Sequence, residues 1–518
     1  MADDDANLKQ RIKDGLVAVS LANLCFISAW FHLLYDVEGG YFKKPAMPVS
    51  LLAMAANLAG LALLAFLTMR LLRRVQTRWV HLVFDGLFLL LLLLPLDFCR
   101  RDVLHLAPHK ILVILRHPWA IISVFAIGWW VVWQHRRVAR AAAVAVGILS
   151  PLALFTLARI AFLSLGVEAL AKQPPGDPTL AAPAPRQPGR PRVIWIIFDE
   201  TDQRLAFEER PASLRMPEFD RLRAASLHAT NAYPPADSTL VSMPALISGQ
   251  PVAAASVKNA SDLAVTLSGG GATLWSKLPS VFAGAREIGV STALLGWYHP
   301  YARVLAGDLN YCTWHPYPGW FPGQEPTFAA AIVSQIACLG AGLKHERLYA
   351  DVCRAMMAES LSLVTNRAYG LVLLHLPVPH RPGIYLPEKD EFTIRTVPDV
   401  TGYFNNLALA DRWLGKLRAA LEASGQRDHT WLILSADHSW RGSQQYDGRR
   451  DLRVPFLLKA PSQNQPITYS ARMNTLVTRD LILAVLRGEL AEAAQTVAWL
   501  DGHRSTQATA GGGAAEPD

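Results

Sequence analysis

The chain has 518 residues, 51% hydrophobic and 18% charged, with a formal net charge of +8. That length suits two or three domains, and the long uncharged runs are confined to residues 1–191. Charge divides the same way: 20 Lys+Arg against 11 Asp+Glu (+9) in residues 1–191, and 30 against 31 (−1) in the remainder. The basic excess therefore belongs to the apolar half, where loop cations set membrane orientation. The second half lacks the basic balance of a nucleic-acid binder, and that class is excluded. Five cysteines without CxxC spacing are too few for a disulfide scaffold, although Cys312, Cys338 and Cys353 leave room for one bridge.

Along the chain, five apolar segments are predicted to span a membrane: roughly 15–35, 48–69, 80–98, 112–133 and 141–166. Each approaches the ~20 helical residues needed to cross a bilayer core. The fourth is interrupted by Arg116, His117 and Pro118. Lys9, Arg11 and Lys13 precede the first segment, Arg70, Arg73, Arg74 and Arg78 follow the second, and Arg136, Arg137 and Arg140 follow the fourth. Lys43, Lys44, Arg100, Arg101 and Lys110, in the other two connections, are diluted by acids. The positive-inside rule then places the N-terminus in the cytoplasm and the chain beyond 166 outside. Asp85 and Arg159 fall inside spans, either as functional charges or as pairs near a helix end.

Residues 1–170 thus form a membrane domain. Residues 171–191 are a linker, with seven prolines in the run QPPGDPTLAAPAPRQPGRP, and 504–518 are a polar, Gly-rich tail. Between them, residues 192–503 alternate strand-length apolar runs with helical stretches. The runs at 193–198, 291–296, 371–376, 431–436 and 455–460 read as buried, mostly parallel strands, and 402–424 and 475–496 as covering helices. The implied fold is an α/β sandwich, in which sites form beyond the carboxyl ends of strands.

Four polar clusters occupy such places. Asp199 and Glu200 follow the first strand, either as ligands for a hard cation or zinc or as helix-capping acids. Thr239 opens the run TLVSMPALISG, either as an N-cap or as a nucleophile where helix N–H groups stabilise an anion. Asp437 and His438 end another strand, where both can reach one metal or form a plain turn. His380 lies in the Pro-bounded turn HLPVPHRP. Arg441 suits phosphate recognition or a surface position beside a packed Trp440, and His299, in GWYHPY, either lines a pocket or packs in the core.

The ordered set resembles the alkaline phosphatase/sulfatase superfamily, within the branch of membrane phosphoethanolamine transferases and lipoteichoic-acid synthases. The resemblance spans most of 192–460 and implies five N-terminal transmembrane helices followed by an extracytoplasmic alkaline-phosphatase-like α/β domain. It places the nucleophile on Thr239, the following motif serine on Ser242, the strand-end acid on Glu200 or Asp199, the Asp-His metal pair on Asp437 and His438, and the turn histidine on His380. The family's Asp-His-Gly is here Asp-His-Ser-Trp-Arg, and no histidine occurs in 442–458, where the transferases carry another. One divalent metal is therefore expected, zinc ahead of manganese or magnesium, and a second is in doubt.

The implied reaction moves a lipid-headgroup phosphoryl substituent through phospho-Thr239 to an envelope glycan or lipid, in a bacterial-type inner membrane. Threonine cannot be oxidised to the formylglycine aldehyde of sulfatases. A hydrolase using the same threonine, a sulfatase-like hydrolase or a catalytically silent membrane scaffold are the alternatives.

Overall fold

The structure is a computed structural model. It describes residues 2–35, 40–104, 106, 117–165, 176–184, 189–316, 323, 325–339, 345–395 and 397–503. Two compact units emerge, and the chain passes between them more often than the predicted boundaries allow. The first comprises Met1–Val37, Lys44–Gln173 and Trp320–Ala341; the second comprises Glu38–Lys43, Pro174–Gly319 and Gly342–Asp518. The first connection thus belongs partly with the α/β unit, and a stretch from the middle of the predicted α/β domain belongs with the helical unit.

Among the described residues, the helical unit contains two uninterrupted helices long and apolar enough to cross a membrane, Pro48–Leu72 and Arg78–Phe98. Two bent pairs raise the number to four if each is one span: Asn7–Cys25 with Ile27–Leu34, bent by 68°, and His135–Ile148 with Ser150–Ser164, bent by 42°. Five spans are not established. The fifth candidate, Pro118–Trp133, has 16 residues, about 24 Å at 1.5 Å per residue against a ~30 Å core. Residues 112–116 of that predicted segment, with the tail 504–518 and parts of the linker, lie outside the described residues.

Asp85 and Arg159, the charges predicted inside spans, both have partners. Asp85 accepts from His135 Nδ1 at 2.8 Å. Arg159 donates through Nε to the carbonyl of Leu34 at 3.2 Å, with its guanidinium over the Tyr35 ring. The buried Asp14 carboxylate binds Arg73 through two bonds of 2.6 and 2.9 Å.

The α/β unit is built on an eight-stranded sheet. Across it the strands run Ile467–Tyr469, Leu227–Ala229, Phe456–Lys459, Thr430–Ser435, Arg192–Phe198, Leu371–Leu376, Thr292–Trp297 and Tyr311–His315. The last five are mutually parallel. Phe456–Lys459 runs antiparallel to Thr430–Ser435, so the run at 455–460 is the exception to the parallel expectation. Arg192–Phe198 is fully buried, and successive side chains alternate faces. Val193, Trp195 and Ile197 enter one apolar core, while Ile194, Ile196 and Phe198 enter the other. Helix Asp399–Ala423 covers one face, close to the predicted 402–424. The predicted helix over 475–496 divides after Arg487, where Gly488 adopts a left-handed φ of 78°, and resumes at Ala493. Cys353 is a free, buried thiol and takes part in no disulfide.

Candidate active site

Four loops at the carboxyl ends of parallel strands converge. Asp199 and Glu200 follow Phe198, Asp437 and His438 follow the strand ending at Ser435, His380 follows the strand ending at Leu376, and His299 follows the strand ending at Trp297. Parallel strands deliver every carboxyl end to one edge of the sheet. Residues 237 positions apart in sequence meet there: the backbone N–H of Glu200 donates to Asp437 Oδ1 at 3.2 Å. Glu200 has a φ of 61°, unusual for a side-chain-bearing residue.

Thr239 is the first residue of the buried helix Thr239–Ser248, N-capped by Ser238 in extended conformation. Its hydroxyl donates to Asp437 Oδ2 at 2.7 Å and lies 3.4 Å from His438 Nε2. The first N–H groups of a helix have no intrahelical acceptor and favour an anion. Ser242 donates its hydroxyl to the Ala236 carbonyl at 2.8 Å and is fully buried, so it braces the loop that presents Thr239. Gly249 ends the helix with a left-handed φ of 66°, and a Cβ there would sit 2.7 Å from Arg479 Cδ.

Asp199, Asp437 and His438 offer ligand atoms within 4.8 Å of one another, all buried. Neither carboxylate oxygen of Asp199 has a hydrogen-bond partner, and His438 Nε2 stands 3.6 Å away. A buried, unpaired carboxylate is costly unless a cation compensates it. This donor set of two carboxylates, one imidazole and a hydroxyl fits a divalent metal. Burial, then the neighbouring Asp437, pushes the Asp199 carboxyl well above its usual range. Burial acts upward on Asp437 too, but His438, His375 and the Thr239 hydroxyl outweigh it and hold that carboxyl low.

The remaining expected site residues have distinct settings. Glu200 directs its carboxylate to Arg441 Nε at 3.2 Å rather than into the three-residue cluster. Arg441 is half exposed, and the preceding Trp440 stacks on Tyr403 at 3.9 Å between ring centroids. Tyr403 in turn donates to the Glu200 carbonyl at 3.1 Å. The altered Asp-His-Ser-Trp-Arg turn is therefore packed in place. His380 is buried between cis Val378-Pro379 and cis Arg381-Pro382, with Nδ1 2.6 Å from the Arg381 carbonyl.

His299 is wholly buried. Its Nε2 lies 3.0 Å from the Thr239 carbonyl and its Nδ1 2.9 Å from the Tyr41 hydroxyl. Burial pushes its imidazole down to about 3, keeping it neutral. Tyr41, from the chain before the first uninterrupted span, is itself fully buried in this core. Nothing in its local sequence marks it. His375 lies within the strand Leu371–Leu376. It accepts or donates at 2.7 Å with Tyr301, its Nε2 is buried without a partner, and burial pushes it down to about 4.

Residues 191–486 match the family model described as sulfatase, and the chain belongs to the sulfatase family. Sulfatase-family domains are metal-dependent, and Asp199, Asp437 and His438 form a candidate metal-binding cluster. Similar solved structures include the PsFucS1 sulfatase from Pseudoalteromonas sp., with 15% identity, 61% of this chain and 75% of that chain covered, and a TM-score of 0.41. A protein in the alkaline phosphatase superfamily from Vibrio parahaemolyticus shows 16% identity over 60% of this chain and 71% of that one, TM-score 0.38. The lipoteichoic acid synthase LtaP from Listeria monocytogenes shows 12% identity over 57% and 72%, TM-score 0.37. A comparison with curated proteins finds no match.

Proposed function

We propose that this protein is a membrane-anchored, metal-dependent phosphoryl-substituent transferase that works through a phospho-Thr239 intermediate. The observation that carries this reading is the Thr239 hydroxyl, at a helix N-terminus and 2.7 Å from Asp437 Oδ2, beside the unpartnered Asp199 carboxylate. Asp199, Asp437, His438 and the Thr239 hydroxyl would hold the metal, with Glu200 adjacent. Zinc suits a mixed imidazole and oxygen set best, ahead of manganese or magnesium. When bound, a divalent ion supplies Lewis acidity that lowers the pKa of a coordinated hydroxyl and offsets phosphate charge.

The chain's own groups do the rest. Asp437 orients the Thr239 hydroxyl and takes its proton as Oγ1 bonds to phosphorus and the bond from phosphorus to a diacylglycerol oxygen breaks. That oxygen takes up a proton from solvent, and the acceptor hydroxyl returns one to solvent in the second displacement. The helix N-terminus stabilises the equatorial oxygens, and Arg441 offers a planar, bidentate-capable cation for a phosphodiester donor. An acceptor hydroxyl on an envelope glycan or lipid then displaces Thr239, which recovers its proton. A threonine at this position favours phosphoryl over sulfuryl ester chemistry, because it cannot yield the formylglycine aldehyde. Anchoring by apolar helices suits a lipid donor. The orientation that fits places the N-terminus in the cytoplasm and the α/β unit on the outer face of a bacterial-type inner membrane.

Intact-mass analysis of the full chain after incubation with phospholipid liposomes tests the reading. Wild type is expected to gain the mass of a phosphoryl headgroup substituent, and Thr239→Ala none. An adduct retained in Thr239→Ala, or none in catalytically active wild type, overturns it.

A further inference from the structure

Helix Phe328–Ala337 interrupts the α/β sequence, yet it belongs to the helical unit. Its sequence, FAAAIVSQIA, contains no charge. An interfacial helix normally carries a charged polar face, and this one has none. It lies along the first turns of Pro48–Leu72, held by a polar clamp. Asn57 donates to Gln335 Oε1 at 2.9 Å, Gln335 donates to the Ser50 carbonyl at 2.8 Å, and the Ser50 hydroxyl donates to Glu325 Oε2 at 2.9 Å. Ser50, Asn57 and Gln335 are buried, whereas Phe328, Val333 and Ile336 are 46%, 58% and 48% exposed.

The depth of the clamp follows from helix geometry. Pro48–Leu72 has 25 residues, about 37 Å at 1.5 Å per residue, so a ~30 Å hydrocarbon core leaves about 4 Å at each end. Asn57 lies ~13 Å along the helix, hence roughly 10 Å inside the core. Gln335 is bonded to it at that depth. Leu52 on the neighbouring helix is likewise exposed, at 56%.

We propose that Phe328–Ala337 is a re-entrant membrane helix, docked on Pro48–Leu72, whose exposed face contacts phospholipid acyl chains of the leaflet on the α/β side. This rests on the membrane reading of Pro48–Leu72 and not on the transfer chemistry. Both flanking sequences belong to the α/β unit, so the helix enters and leaves the leaflet from one side. The exchanged amides satisfy polar groups that hydrocarbon would otherwise leave unpaired.

A benzoylphenylalanine photoprobe at Phe328, Val333 or Ile336 of the full chain in phosphatidylethanolamine/phosphatidylglycerol liposomes tests it. Probes at Leu63 on the spanning helix and Leu452 on the α/β unit serve as references, both exposed. The expected result is phospholipid adducts from the three positions, in yield comparable to Leu63, with little at Leu452. Adducts at Leu63 alone overturn the re-entrant helix and leave the span intact. Absence of lipid adducts everywhere overturns both. Cross-linking of the three positions to a second copy of the chain, or equal labelling at Leu452, also overturns the proposal.

Discussion

At the residue scale, the informative atoms are those whose partners are missing or shared. Asp199 has two buried carboxylate oxygens without hydrogen bonds, and Asp199→Asn removes the charge while keeping the shape. Metal content of the purified full chain is expected to fall sharply, since one of the two carboxylates in the proposed ligand set is lost; unchanged metal content would remove Asp199 from that set. Tyr41 acts through His299, whose other nitrogen meets the Thr239 carbonyl. Tyr41→Phe leaves the His299 Nδ1 buried without its partner, a cost of ~1–3 kcal/mol. The expected outcome is a lowered kcat with KM little changed, because on the proposed mechanism Tyr41 positions Thr239 through His299 and does not touch substrate. A change confined to KM would contradict that role.

At the scale of elements, helix Thr239–Ser248 and the parallel strands account for the candidate site, and their apolar runs are legible in the sequence. The run at 193–198 alternates between two cores and ends where Asp199 emerges. The partners were not legible. Glu200 and Asp199 are adjacent and equally plausible as ligands, and only the turn after Phe198, with Glu200 at a φ of 61°, sends one toward His438 and the other toward Arg441. The same distinction applies to Asn57 and Gln335, each unremarkable alone. Gln335→Leu is expected to destabilise the helical unit by roughly 1–2 kcal/mol, because it removes the 2.9 Å acceptor of the Asn57 amide and leaves it only a 3.4 Å bond to the Ile332 carbonyl. The double variant Asn57→Leu/Gln335→Leu should recover part of that loss in thermal unfolding of the detergent-solubilised chain. Additive losses would show that the two amides are not coupled.

For the whole molecule, residues 38–43 and 174–319 belong to one compact unit, so the proposed membrane reading requires them to share one side of the bilayer. The spans between Lys44 and Gln173 are then even in number. Pro48–Leu72 and Arg78–Phe98 supply two, and Pro118–Trp133 and the pair His135–Ser164 must cross together or not at all. Arg136, Arg137 and Arg140 favour crossing, since it places them with Arg73, Arg74 and Arg78 on the cytoplasmic side. Reporter fusions after Arg74 and Gln134 are expected to read cytoplasmic, and fusions after Leu106 and Gln173 external. A Gln134 fusion reading external would leave only two crossings in that stretch.

Acid stability also belongs to this scale. His228, buried against Phe207, has its imidazole pushed down from 6.5 to about 4 by burial first and Arg223 second. The folded chain therefore holds it neutral while the unfolded chain protonates it. Its stabilising contribution is complete above about pH 6.5 and is lost as pH falls toward 4, on the order of 3 kcal/mol. His228→Gln should flatten the fall in unfolding temperature across that window; an unchanged slope would place the linkage elsewhere.

Composition and periodicity alone determined the division into an apolar helical half and a charge-balanced α/β half. They also located the strand-end polar clusters, because hydrophobic spacing is a local property of the chain. The tertiary structure decided which clusters meet and which segments change units. It brought Tyr41 behind Thr239, turned Glu200 to Arg441, reversed Phe456–Lys459, and joined Phe328–Ala337 to Pro48–Leu72. Each of these depends on hydrogen bonds or packing between residues far apart in the chain, where one-dimensional spacing carries no information about distance.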